Sequence, residues 1–358
     1  MKLPHITMLA ALLLTAPAAA QLQITPPAAT PSAPAEKQKP KPHTITKKKE
    51  AAPAPKPSAS PKPSPSPKPA ATVIPAPPTD DPNVDLVFGA YQRGQYKTAF
   101  ELATARAQAG DSKAMTMLGE LYSNAMGIRR DYAKAAEWYK RAADSGDREA
   151  MFALAMLRMS GRGGPVDKGE AVKLMASAAK LGEPKAAYNL ALLYLDGQTL
   201  PQDVRRSAEL LRQAADAGLP EAQYALATFY KEGTGVPKDA ERAVRLLQAA
   251  SLADNVDAEV EYAIAMFNGT GTPKNQPAAV ALLRKASRQG SAIAQNRLAW
   301  VLINGVGTPM DKVEGFKWHL VAKTAGKGDP ELDKELSDLP AEERAKAEAA
   351  AKKWLGTK

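Results

Sequence analysis

From residue 112 onward, apolar residues recur at helical spacing in short blocks separated by polar, glycine-containing breaks. In residues 220–255, Ala222, Leu226 and Tyr230 fall at i, i+4 and i+8, and Ala243, Leu246, Leu247 and Ala250 resume the period after the break. The spacing predicts two helices. Gly233 suits a left-handed cap at the end of the first, Pro237 prevents its continuation, and Asp239 accepts from the free amides that open the second.

This pair is one unit of an ungapped array. Alanine returns every 36 residues at Ala114, Ala150, Ala186, Ala222, Ala258 and Ala294, and again at Ala142, Ala178, Ala214, Ala250, Ala286 and Ala322. Small side chains at these places let helices approach closely, while Leu118, Leu154, Leu190, Leu226 and Leu298 fill the seam; Tyr262 takes that place in the fifth unit. The capping position of the second helix reads Asp131, Asp167, Asp203, Asp239, Asn275 and Asp311. Glycines close the second helices at Gly110, Gly146, Gly182, Gly218, Gly290 and Gly326, where the fourth unit has Asp254 and Asn255 instead, types that tolerate the left-handed conformation. One such pair cannot bury its apolar face alone, so the units stack and the ends need caps.

The pattern from Ala222 to Ala250, A-x-x-Y-x-L-A-x-x-Y-x-x-G-x-G-V-x-x-D-x-x-x-A-x-x-L-x-x-A-A, resembles the Sel-one-like repeat (SLR), a longer-looped relative of the tetratricopeptide repeat. The resemblance covers residues 112–329. It implies an all-α, right-handed superhelical solenoid of stacked antiparallel helix pairs, and a non-catalytic adaptor or envelope regulator that binds a protein or peptide. It also implies that first helices line a concave face. The positions it assigns to that face carry Met156, Met159, Leu192 and Leu195, then a polar interruption at Lys231, then Ile264, Phe267, Trp300, Ile303 and Asn304. Apolar residues gathered on an exposed face mark interaction sites; the alternative is that tight curvature packs them against neighbouring first helices.

Outside the array, residues 1–20 hold one lysine, a short apolar run and a small-residue ending, the pattern of a cleaved secretory signal. The run is too short to span a bilayer, which needs about 20 residues, so no stable membrane span is expected after cleavage. Residues 21–82 are rich in Pro, Ala and Lys, contain no aromatic residue, and read as a disordered linker. Residues 83–111 read as an N-terminal cap, with Leu86, Ala90 and Tyr91 on one helix and Tyr96, Ala99 and Ala103 on the next. Residues 330–358 read as a capping helix that starts at Ser337 or Asp338 and turns Ala345, Ala349 and Trp354 to the stack. Export, to the periplasm above all, is the expected address.

Charge divides unevenly. Nine lysines and two glutamates lie between Gln21 and Thr79, a net +7 of the chain's +10, while residues 80–358 carry only +2. A nearly balanced array argues against a nucleic-acid groove, which needs clustered Lys and Arg on the folded surface. The arm's lysines keep a spacer soluble, with weak contact to anionic envelope polymers as the lesser alternative. Candidate chemistry adds little: there is no cysteine, and His319 occupies a packing register of the second helix without a second His or a recurring carboxylate cluster beside it. No cofactor or metal is expected. Glu259 and Glu261 are a weak hint of glycan chemistry, since neighbouring helix residues point different ways; a peptidoglycan-binding or wall-processing protein is the alternative function. The G-x-G tracts follow helices and lack a P-loop ending, so capping explains them.

Overall fold

The computed structural model describes residues 85–356, and the expectations for residues 1–20 and 21–82 lie outside the described residues. Regular structure among the described residues is helical throughout. Helices α1 (Leu86–Gln92) and α2 (Tyr96–Gln108) precede the array. Six pairs follow: α3 (Ser112–Asn124) with α4 (Tyr132–Asp144), α5 (Arg148–Ser160) with α6 (Lys168–Lys180), and α7 (Pro184–Asp196) with α8 (Val204–Asp216). Next come α9 (Pro220–Glu232) with α10 (Ala240–Leu252), α11 (Val256–Asn268) with α12 (Gln276–Arg288), and α13 (Ala292–Asn304) with α14 (Lys312–Thr324). Two further helices, α15 (Pro330–Ser337) and α16 (Ala341–Gly356), close the described chain. Within the array each helix packs chiefly on its sequence neighbours, which makes the pairs a solenoid, while the last helix packs back on α14.

The two alanine series are why the pairs stack so closely: all twelve are between 0% and 3% exposed. Leu118, Leu154, Leu190, Leu226 and Leu298 are buried between them, each contributing about 1.5–3 kcal/mol of burial. Tyr262, longer than leucine, is only half-buried at the same register. The second helices start where an Asx side chain accepts from the amide three residues on. Asp131 takes Lys134 N–H at 3.0 Å, Asp239 takes Arg242 N–H at 2.9 Å and Asn275 takes Ala278 N–H at 3.1 Å.

The glycines that close the second helices are left-handed, and so are Gly161, Gly197, Gly233, Gly269 and Gly305, which close first helices. The fourth-unit departure resolves into two roles: Asp254 adopts the left-handed conformation at φ 59°, and Asn255 caps α11 by accepting from Ala258 N–H at 2.9 Å. Lys285 reaches back to Asp254 at 2.7 Å and to fully buried Glu259 at 2.5 Å, tying α12 to the preceding turn and to α11.

At the C-terminal end the chain forms two helices where the sequence predicts one. Asp329 accepts from Glu331 N–H and opens α15, and the last helix begins only after Pro340. Its inward face is Ala347 and Ala351, with Ala345 and Ala349 exposed. Trp354 lies three and seven residues beyond the buried pair, on the same helix face. Its ring meets Trp318 edge-on with centroids 5.0 Å apart, so the residues in phase with that contact are the ones buried.

Candidate functional site

Five first helices of the array, α5, α7, α9, α11 and α13, carry the ten candidate residues. Met156 on α5 is 41% exposed, and Leu192 one unit later on α7 is half-buried. Met159 and Leu195 are half-buried against the core, so only part of each side chain faces out. Ile264 and Trp300 are half-buried on α11 and α13. Phe267 and Ile303 belong to the packing instead: they are 7% and 3% exposed. For Ile303 the cause is a glycine, because a Cβ at Gly315 of α14 would sit 2.6 Å from its Cγ1. The smallest residue on α14 therefore draws that isoleucine inward.

The polar members are used locally. Lys231 Nζ pairs with Glu261 Oε2 at 3.0 Å, linking α9 to α11, and the Asn304 amide donates to the Trp300 carbonyl of its own helix at 2.9 Å. At the N-terminal end the Tyr91 hydroxyl donates to Glu120 at 2.7 Å, a similar link between first helices.

The residues that the sequence reading missed lie one and two turns earlier on the same helices. Burial, and then the carboxylates of Glu261, Asp257 and Glu232, push the Tyr224 phenol up; burial and Glu221 do the same to Tyr188. Burial and Glu261 also raise the Asp257 carboxyl. The face is thus apolar in the second and third units and anionic in the fourth and fifth. Spacing of i−4 and i−7 from the chosen positions was the signal available for finding them.

Glu259 and Glu261 do point different ways, the first buried onto Lys285 and the second outward to Lys231. His319 is fully buried, with Nε2 2.8 Å from Asp333 Oδ1, so it fastens α15 to α14. Capping accounts for only the first glycine of each G-x-G. A Cβ on the second would collide with the preceding second helix: Gly163 with the Tyr132 carbonyl, Gly235 with that of Val204 at 2.6 Å, Gly271 with that of Ala240. These glycines set how closely one unit's loop lies on the next.

An open cleft of 720 Å³ lies between α14 and α16, lined by Leu320, Lys323, Ala351 and Leu355 and by none of the ten candidate residues. Among the described residues no group of three or more His, Cys, Asp or Glu side chains is placed to hold a metal ion, and no helix is long and apolar enough to cross a membrane.

A stack of near-identical helix pairs that presents its first helices side by side is a helical-repeat solenoid, an architecture whose elongated faces commonly bind other proteins. The chain belongs to the Sel1 repeat family, whose sequence model matches residues 112–147, 148–183, 184–219, 220–255, 256–291 and 292–327. Among solved structures it is similar to a Sel1 repeat protein from Oxalobacter formigenes, at 26% identity and a TM-score of 0.60, over 67% of this chain and 98% of that one. It is also similar in fold to c5321, a protective antigen present in uropathogenic Escherichia coli strains, at 23% identity and a TM-score of 0.51. That match covers 72% of this chain and 64% of that one. Comparison with curated proteins finds no match.

Proposed function

We propose that this protein is a non-catalytic adaptor that binds a protein or peptide along its first-helix face. The observation that carries the reading is the pairing of Met156, 41% exposed, with half-buried Leu192 at the same register of consecutive first helices, so that apolar surface recurs along one helix face. Ile264 and Trp300 extend the surface, and the carboxylates around Tyr224 favour a partner with basic groups next to apolar ones. Phe267 and Ile303 support the face from within.

Met156→Glu with Leu192→Glu should leave helical circular dichroism unchanged and reduce partner recovery at least about tenfold, the loss expected when apolar anchors are replaced by charge. A photoreactive residue at Met156 should capture a single species that the same residue at exposed Arg245, on a second helix, does not. Identical capture at both sites, or unchanged recovery with the double variant, refutes the reading. Export belongs to the same proposal and has its own check: the mature protein in an envelope fraction should begin at Gln21.

A further inference from the structure

In an array built by repetition, positions that break the repeat and meet in space mark a local specialisation. The loop between first and second helix carries a proline at Pro165, Pro201, Pro237, Pro273 and Pro309, but Arg129 in the first unit. The next residue is Arg130. The first residue of the second helix is Tyr132 here, and it is Lys, Val, Ala or Gln in the other five units. In the second unit the residue between the two loop glycines is Arg162, where the other units have Met, Gln, Thr or Val.

The fold brings Arg130, Tyr132 and Arg162 together. The guanidinium of Arg130 lies 5.8 Å from the Tyr132 ring centroid, and that of Arg162, from the neighbouring unit, lies 5.5 Å from the same centroid. Gly163 makes this possible, because its backbone rests directly on the Tyr132 carbonyl and carries Arg162 with it. Among the described residues none of the three arginines has a carboxylate partner. The nearest acids in sequence are engaged: Asp131 accepts from Lys134 N–H at 3.0 Å and lies 3.7 Å from Lys134 Nζ, Asp167 accepts from Glu170 N–H at 2.8 Å, and Glu170 holds Arg158 at 3.2 Å. Arg129 and Arg130 are exposed and Arg162 is half-buried, so the cluster faces solvent.

Two like charges on one ring repel each other, and cation–π attraction to Tyr132 holds them there. A guanidinium donates through a planar fork, and one fork already engages both oxygens of a carboxylate. Two forks held at one ring offer more donors than a single carboxylate needs and suit an oxyanion with more oxygens. We propose that Arg130, Arg162 and the adjoining Arg129 form a binding site for a phosphate ester, separate from the first-helix face. Tyr132 positions the arginines and makes no contact with the anion.

The test is a titration of the full chain at low ionic strength, because exposed charges are screened beyond about 10 Å at 0.1 M salt. Arginine Nε–Hε resonances are followed while inorganic phosphate, glycerol 3-phosphate or succinate is added. The two phosphates should shift the Arg130 and Arg162 signals at lower concentration than succinate. In Arg130→Gln with Arg162→Gln the affinity for glycerol 3-phosphate should fall roughly tenfold or more, the scale of losing charge-assisted forks. Tyr132→Leu should weaken it less, and Arg205→Gln with Arg288→Gln should leave it unchanged. No shift in the unsubstituted chain, equal response to succinate, or equal loss in the Arg205 and Arg288 control would overturn the proposal.

Discussion

Ala125 stands where the five later units have glycine, and it adopts the same left-handed conformation, at φ 58°. That backbone costs a non-glycine residue about 1–2 kcal/mol. Ala125→Gly should therefore raise stability by about 1 kcal/mol, after allowing for the extra freedom glycine gives the unfolded chain, as read by urea denaturation. The loop glycines divide on the same physics. At Gly218 an added Cβ meets nothing within 4 Å, so Gly218→Ala carries only the conformational cost of about 1–2 kcal/mol. At Gly271 the same Cβ also strikes the Ala240 carbonyl, so Gly271→Ala should cost a further 1–3 kcal/mol or so in overpacking strain. Equal losses at the two positions would show that the loop does not rest on its neighbour.

Among elements, α15 is tied to α14 by one carboxylate, Asp333. Hydrogen bonds from Lys323 at 2.7 Å and from His319 hold Asp333 below its ordinary carboxyl range. A depressed folded value means that the stabilisation is present above the ordinary value of about 3.9 and is lost as the pH falls through the folded one. Amides of residues 330–337 should therefore lose hydrogen-exchange protection on acidification, ahead of the array helices. Asp333→Asn should remove that pH dependence while protection at neutral pH falls. The last helix shows the limit of pattern reading in an alanine-rich segment. Ala345, Ala347, Ala349 and Ala351 offer two equally small faces, and only the contact of Trp354 with Trp318 selects Ala347 and Ala351.

Across the whole molecule, contacts run between neighbouring units, so disturbance should spread by proximity. Leu226→Ala, at a fully packed seam position, should cost about 2–5 kcal/mol and raise amide exchange most in α7 through α12, with the first and sixth units least affected. Uniform loss of protection along the array would instead mean that the solenoid unfolds as one cooperative block. The same arrangement separates the adaptor face from the arginine cluster. The face runs along first helices, whereas the cluster sits on loops of the first two units, and substitutions at one should leave binding at the other unchanged.

An ungapped 36-residue period by itself determined the helix pairs, their caps and the in-phase alanine seam, because each depends on local geometry that recurs with the residues. The resemblance of the repeat to a known family, and not the period, assigned a binding face to the first helices. Tertiary structure alone decided which side chains that face presents: Phe267 and Ile303 stand at the register of half-buried Met159 and Leu195, yet packing against neighbouring helices takes Phe267 and Ile303 fully inside. It likewise decided the second loop glycine's contact and the meeting of Arg130 with Arg162, for these depend on how closely one unit rests on the next. A periodic pattern specifies the face a residue occupies, and the depth at which it sits follows from the volume of its neighbour.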